Sequence, residues 1–141
     1  MRNYDIILFD LDGTLTDSAP GILNSVRYAC RKLGLEMPSE TTLRKFLGPP
    51  LIDSFRQLVG LSDAEADRAV SAFREYFPTK GLFENEVYPG IPALLADLKA
   101  AGKTVLIAGR GEMIDATRER LIGAGADPRF IHHDPVAKTT A

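Results

Sequence analysis

Two carboxylates one residue apart, Asp10 and Asp12, are followed at once by Gly13 and Thr14. These residue types in this order suit phosphoryl chemistry. A carboxylate is a recognised nucleophile that forms an aspartyl-phosphate. It needs a cation beside it, because carboxylate and phosphate repel each other. In this reading Asp10 lends one oxygen to Mg²⁺ and attacks with the other. Asp12 works on the leaving-group oxygen: it donates a proton to the departing alcohol, then takes one from the attacking water. Thr14 and the amides of Leu11, Asp12 and Gly13 are candidate phosphate or turn contacts. A strand that merely ends in a solvated Asp-x-Asp-Gly turn would account for the same residues without chemistry.

The element that positions these groups is the run Ile6-Ile7-Leu8-Phe9 just before them. A short apolar run of this composition reads as a buried parallel strand covered on both faces. Asp10 then stands at the strand's carboxyl end, where ligands dock in open α/β sheets. Gly13 permits a tight turn there, with backbone N–H groups facing an anion. The segment Phe9-Asp10-Leu11-Asp12-Gly13-Thr14-Leu15 resembles the first signature motif of the haloacid dehalogenase superfamily. The resemblance implies a Mg²⁺-dependent phosphatase. Asp10 and Asp12 would be its catalytic and metal residues, and Leu11, Gly13 and Thr14 would be substrate contacts.

The 141 residues, 45% hydrophobic and 26% charged, describe a globular chain able to bury a core. A formal net charge of −2 gives no electrostatic case for nucleic acid or an anionic membrane. The single cysteine, Cys30, permits no internal disulfide and falls in a helical pattern as a core thiol. No apolar run has the length of a membrane span. The first strand begins within a few residues of Met1, so a cytoplasmic location is expected.

Past the motif, Asp17, Ser18 and Pro20 signal a helix start. Ile22, Leu23, Val26, Cys30 and Leu33 recur at helical spacing up to Gly34. Pro38-Ser39-Glu40 opens a second helix through Leu43, Phe46 and Leu47. Pro49-Pro50 opens a third, with Leu51, Ile52, Phe55, Leu58 and Val59 before Gly60. Ser62 and Glu65 form a capping box ahead of Ala66, Ala69, Val70, Phe73, Tyr76 and Phe77. Residues 15–85 thus read as a four-helix insertion with no strand in it. In the superfamily this resembles a helical cap that shuts over the site and excludes water. Residues 83–90 read as a return linker, followed by a helix with Leu94, Leu95, Leu98 and Ala101 and a second strand at 103–108.

The expected fold is α/β: an incomplete, Rossmann-type parallel sheet core from residues 1–14 and 86–141, with the cap at 15–85. Tyr88 to Ala108, with the turn at Leu47–Leu51, resembles the phosphoglycolate-phosphatase branch. That likeness covers about residues 4–108 and makes a small phosphorylated metabolite, phosphoglycolate first, the expected substrate.

Beyond Ala108 the pattern departs from the family. Its second motif is a Thr or Ser whose hydroxyl binds phosphate, and Gly109 stands there instead, followed by Arg110 and Gly111. Free N–H groups at the start of a helix expected at about 112–124, with the Arg110 fork, are candidate replacements. A strand-to-helix turn with a solvated arginine is the favoured account of them. Lys138 lies near the position of the family's third-motif lysine. His132, His133 and Asp134 do not converge as metal ligands, because adjacent residues of a strand point to opposite faces. No strand bearing the fourth, acidic motif is seen. Without that neighbour the first strand keeps an unpaired edge, which invites pairing with a second copy. The sequence therefore supports a phosphomonoester hydrolase, or a catalytically inactive relative that binds phosphate compounds or associates. A phosphoacceptor switch that keeps its phosphate on Asp10 is a third reading.

Overall fold

The computed structural model describes residues 4–109 and 111–123. The chain divides into two compact units. One is built from the described residues up to Asp17 and from Glu86 onward, and the other is Ser18–Asn85.

The first unit holds the sheet. Strand β1 (Ile6–Asp10) lies parallel to β4 (Thr104–Ala108), with Ile6 opposite Thr104, Leu8 opposite Leu106 and Asp10 opposite Ala108. Parallel neighbours need a crossover, supplied here by everything between the two strands. Helix α5 (Ile91–Ala100) packs against β4, and α6 (Gly111–Gly123) follows it. One face of the pair is covered: Val105 and Ile107 are buried, and Ile7 and Phe9 half-buried beside them. The other face corrects the expectation of a strand covered on both sides. Ile6 is 62% and Leu8 67% exposed among the described residues, and Tyr4 just before them is exposed too. An apolar run reports that a strand forms, whereas its burial depends on what packs on each side.

A second correction concerns residues 15–85, expected to contain no strand. Thr16–Asp17 forms β2, antiparallel to β3 (Glu86–Val87), with Thr16 opposite Val87 and Asp17 opposite Glu86. The Tyr88 N–H extends this ribbon by donating to the Leu15 carbonyl. The linker expected at 83–90 is therefore partly strand.

The second unit is helical: α1 (Ala19–Leu33), α2 (Glu40–Arg44), α3 (Leu51–Val59) and α4 (Asp63–Tyr76), then a 3₁₀ turn at Gly81–Glu84. Pro20 occupies the first turn of α1, where its missing N–H costs nothing. Gly34 ends α1 in the left-handed conformation that an L side chain resists. The Glu65 carboxylate accepts from both the N–H and the hydroxyl of Ser62, fixing the start of α4. These two hydrogen bonds hold the Glu65 carboxyl below its usual range. Helix α2 stops at Arg44, short of the expected Leu47, yet Phe46 is still buried. The core joins Val26, Ala29 and Cys30 of α1 to Leu43, Phe46, Phe55, Ala66, Ala69 and Phe73. Phe46 and Phe55 meet edge to face at 5.0 Å. Cys30 is buried as expected, and burial pushes its thiol up.

Candidate active site

Beyond Asp10 the chain does not run straight on; it winds around one atom. The Leu11 carbonyl accepts from the amides of Thr14 (3.3 Å), Leu15 (3.0 Å) and Thr16 (3.1 Å) and from the Thr16 hydroxyl (3.3 Å). Gly13 makes the reversal possible: its φ is +77°, a conformation that glycine adopts without strain. Its N–H donates back to the Thr16 carbonyl at 2.8 Å. Leu11, Leu15 and Thr16 are fully buried and anchor the loop, while Asp10, Asp12, Gly13 and Thr14 face solvent. The alternation of anchor and acid thus lifts both carboxylates out at the carboxyl end of β1.

The amides expected to be free divide. Leu11 donates to the Ala108 carbonyl at 2.9 Å, continuing the β1–β4 ladder by one bond, and Gly13 is engaged within the loop. The Gly13 amide is thus a turn contact, one of the two roles expected of it, and the Leu11 amide is taken by the sheet rather than left free, as buried backbone groups are paired. Among the described residues the Asp12 amide has no hydrogen-bond partner. Leu11 presents neither side chain nor N–H to solvent, and it supports the loop.

Thr14 donates its hydroxyl to Asp10 Oδ2 at 3.5 Å, a long contact that lies across the loop. Among the described residues neither Asp10 nor Asp12 has an ion pair. Lys103 pairs with Asp5 at 3.3 Å, at the amino end of the sheet and so away from the acids. Two exposed, unpaired carboxylates in three residues fit a hard dication. Mg²⁺ binds through one or two carboxylates plus substrate phosphate and keeps several waters. No group of three or more His, Cys, Asp or Glu side chains able to hold a metal occurs among the described residues.

Gly109 directly follows β4, and Ala108 is the register partner of Asp10, so Gly109 stands at the same end of the sheet as the acids. It brings no side-chain donor. Helix α6 starts two residues later, at Gly111. Arg110, His132, His133, Asp134 and Lys138 lie outside the described residues. Thr16 was not singled out from sequence; its hydroxyl closes the loop on Leu11, and an isolated Thr before a helix carries no signal for that.

Comparison with known proteins is decisive at this point: residues 7–119 match the family described as haloacid dehalogenase-like hydrolase. The chain belongs to that family. Over 105 residues it is 48% identical to a 5'-nucleotidase of Pseudomonas aeruginosa, covering 74% of this chain and 48% of the relative. Over 97 residues it is 33% identical to a phosphoglycolate phosphatase of Aquifex aeolicus, covering 69% of this chain and 45% of the relative. The chain thus spans about half the length of these curated relatives. A crystal structure of a candidate phosphatase from Clostridium difficile superposes with a TM-score of 0.79 at 35% identity, covering 100% of this chain and 66% of that one. The α/β fold and the family expected from the first motif are therefore both found. No helix among the described residues is long and apolar enough to cross a membrane.

Proposed function

We propose that the chain carries the nucleophile half of a phosphomonoester hydrolase. The observation that bears this reading is the exposed, unpaired Asp10 carboxylate at the carboxyl end of β1, on a loop wound around a buried carbonyl. An Asp10 oxygen forms a bond to phosphorus while the phosphorus–oxygen ester bond breaks, its electron pair leaving with the alcohol oxygen. Asp12, two residues on, hands that oxygen a proton. It then takes a proton from the water that displaces Asp10 and releases phosphate. Thr14 steadies the Asp10 carboxylate through its hydroxyl. The free Asp12 amide is the loop's donor toward a phosphoryl oxygen. Asp10 and Asp12 would hold Mg²⁺, which supplies neutralisation of the charge between carboxylate and phosphate.

The substrate class is a small phosphomonoester, and the helical unit Ser18–Asn85 is the cap that selects it. Phosphoglycolate and a nucleoside 5'-monophosphate are the two compounds to compare, since the relatives are named for these classes. The test is phosphate release from each, and from a generic aryl phosphate, with Mg²⁺ and with chelator. Release that depends on Mg²⁺ supports the reading. A second reading, a relative that binds phosphate without turnover, draws on Gly109, which leaves the carboxyl end of β4 without a hydroxyl donor. Removing one such donor commonly costs roughly 10²–10³ in rate. Phosphate binding by calorimetry with no release from any of the three compounds would favour it.

A further inference from the structure

The helical unit begins and ends at one place. Gly21, in the first turn of α1, lies so close to Gly81 that a Cβ there would come within 2.7 Å of the Gly81 carbonyl carbon. The Ser25 hydroxyl, bonded to the Gly21 carbonyl at 2.7 Å, fills the space beside Gly81. Next to this backbone contact stands Glu84, the last residue of the 3₁₀ turn. One of its oxygens accepts from Asn24 Nδ2 of α1 at 3.1 Å. The other accepts from the Tyr76 hydroxyl of α4 at 2.7 Å. Both donors are themselves fixed. Arg27 Nη1 donates to Asn24 Oδ1 at 2.8 Å, and Arg27 Nη2 grips both Glu40 oxygens at 2.7 and 2.8 Å. The Tyr76 ring lies against Tyr28 at 5.1 Å, with Lys80 Nζ 5.6 Å from its centroid.

We propose that Glu84 is a clasp: its two oxygens tie the segment on which the chain leaves the helical unit to α1, on which it arrives, and to α4. The chain passes between the units only at 17–18 and 85–86. The clasp joins the two chain ends within the helical unit, as the β2–β3 ribbon joins them just outside it. Glu84 is a positioning residue, distinct from the acids of the loop. The neighbouring carboxylate also raises the Tyr76 phenol above its ordinary range, as a hydrogen bond to a full charge should.

Hydrogen exchange read by mass spectrometry on the full chain without substrate tests it. The reporters are the amides of Leu82 and Phe83, which close the turn onto Phe77 and Lys80. Glu84→Ala loses both bonds and raises exchange at these amides roughly ten- to a hundredfold, given charge-assisted bonds. Exchange in α3, which carries none of these groups, stays put. Tyr76→Phe loses one bond and gives a smaller rise. Glu84→Gln rescues most of the protection, since its amide oxygen accepts from Asn24 while its nitrogen donates to the Tyr76 oxygen. Unchanged exchange in both Glu84→Ala and Tyr76→Phe overturns the clasp, and so does a rise shared equally by α3. Because no substrate is present, the exchange pattern decides the role of Glu84 even in a chain without phosphatase activity.

Discussion

Replacing Gly21 by alanine sets two effects of opposite sign against each other. Away from any neighbour, alanine in a helix is better than glycine by roughly 0.5–1 kcal/mol, through backbone entropy. At Gly21 the added Cβ falls well inside the 3.0 Å that real Cβ contacts keep from the Gly81 carbonyl oxygen, and 2.7 Å from its carbon. The obstacle is backbone, so no side chain can swing aside, and the 3₁₀ turn must separate from α1. Overpacking of this kind costs typically ~1–3 kcal/mol and sometimes more. A backbone-on-backbone clash belongs at the upper end, so the clash wins by about 2 kcal/mol. Domains of 60–100 residues lose roughly 4–8 °C per kcal/mol. The expected drop for Gly21→Ala is therefore roughly 8–16 °C in a thermal melt followed at 222 nm. Gly123→Ala, with nothing within 4 Å of its Cβ, is the control and should move little. An unchanged or raised melting temperature in Gly21→Ala would refute the close approach of α1 and the 3₁₀ turn.

Other outcomes follow from the same geometry. Glu65 has its folded pKa lowered, so the stability it contributes is present above the unfolded value and is lost as pH falls through the folded one. Ser62→Ala should lower the melting temperature at neutral pH, and the gap from wild type should narrow on the acid side of that window, the capping bond to the Glu65 N–H being independent of pH; a gap constant with pH would refute the link. Leu8→Lys places charge on the sheet face left exposed among the described residues and should leave the melting temperature within the small range of surface changes. It should also reduce any concentration-dependent self-association seen by light scattering. A wild-type chain monomeric at every concentration would remove that face as a site of association.

What was legible in the sequence was local. The loop at Asp10–Thr14 could be read because a strand, an acid pair and a glycine adjoin one another. The helices could be read because their signals lie within a turn or two: Pro20, the Ser62–Glu65 box, and glycines after Leu33 and Val59. What was not legible depends on residues far apart in the chain. β2 and β3 are two residues each and exist through pairing across the whole helical unit. The Leu11 amide looked free until Ala108 came to lie beside it. The exposure of Ile6 and Leu8 is set by what packs on each face of the sheet, and the unbroken apolar run of β1 does not encode that. Glu84 fell in a stretch read as linker, because its partners stand in α1 and α4.

Transfer of phosphate to Asp10 is tested by following the phosphoryl group from substrate onto the protein. Wild type and Asp10→Asn are given a phosphomonoester with Mg²⁺, quenched in acid, and examined for released phosphate and for a phosphoryl group on residue 10 by mass spectrometry. Attack by Asp10 predicts Mg²⁺-dependent release by wild type, with trapped label on Asp10, and a loss of about 10³-fold or more in Asp10→Asn. Equal release by the two proteins, or no release by wild type, would contradict it.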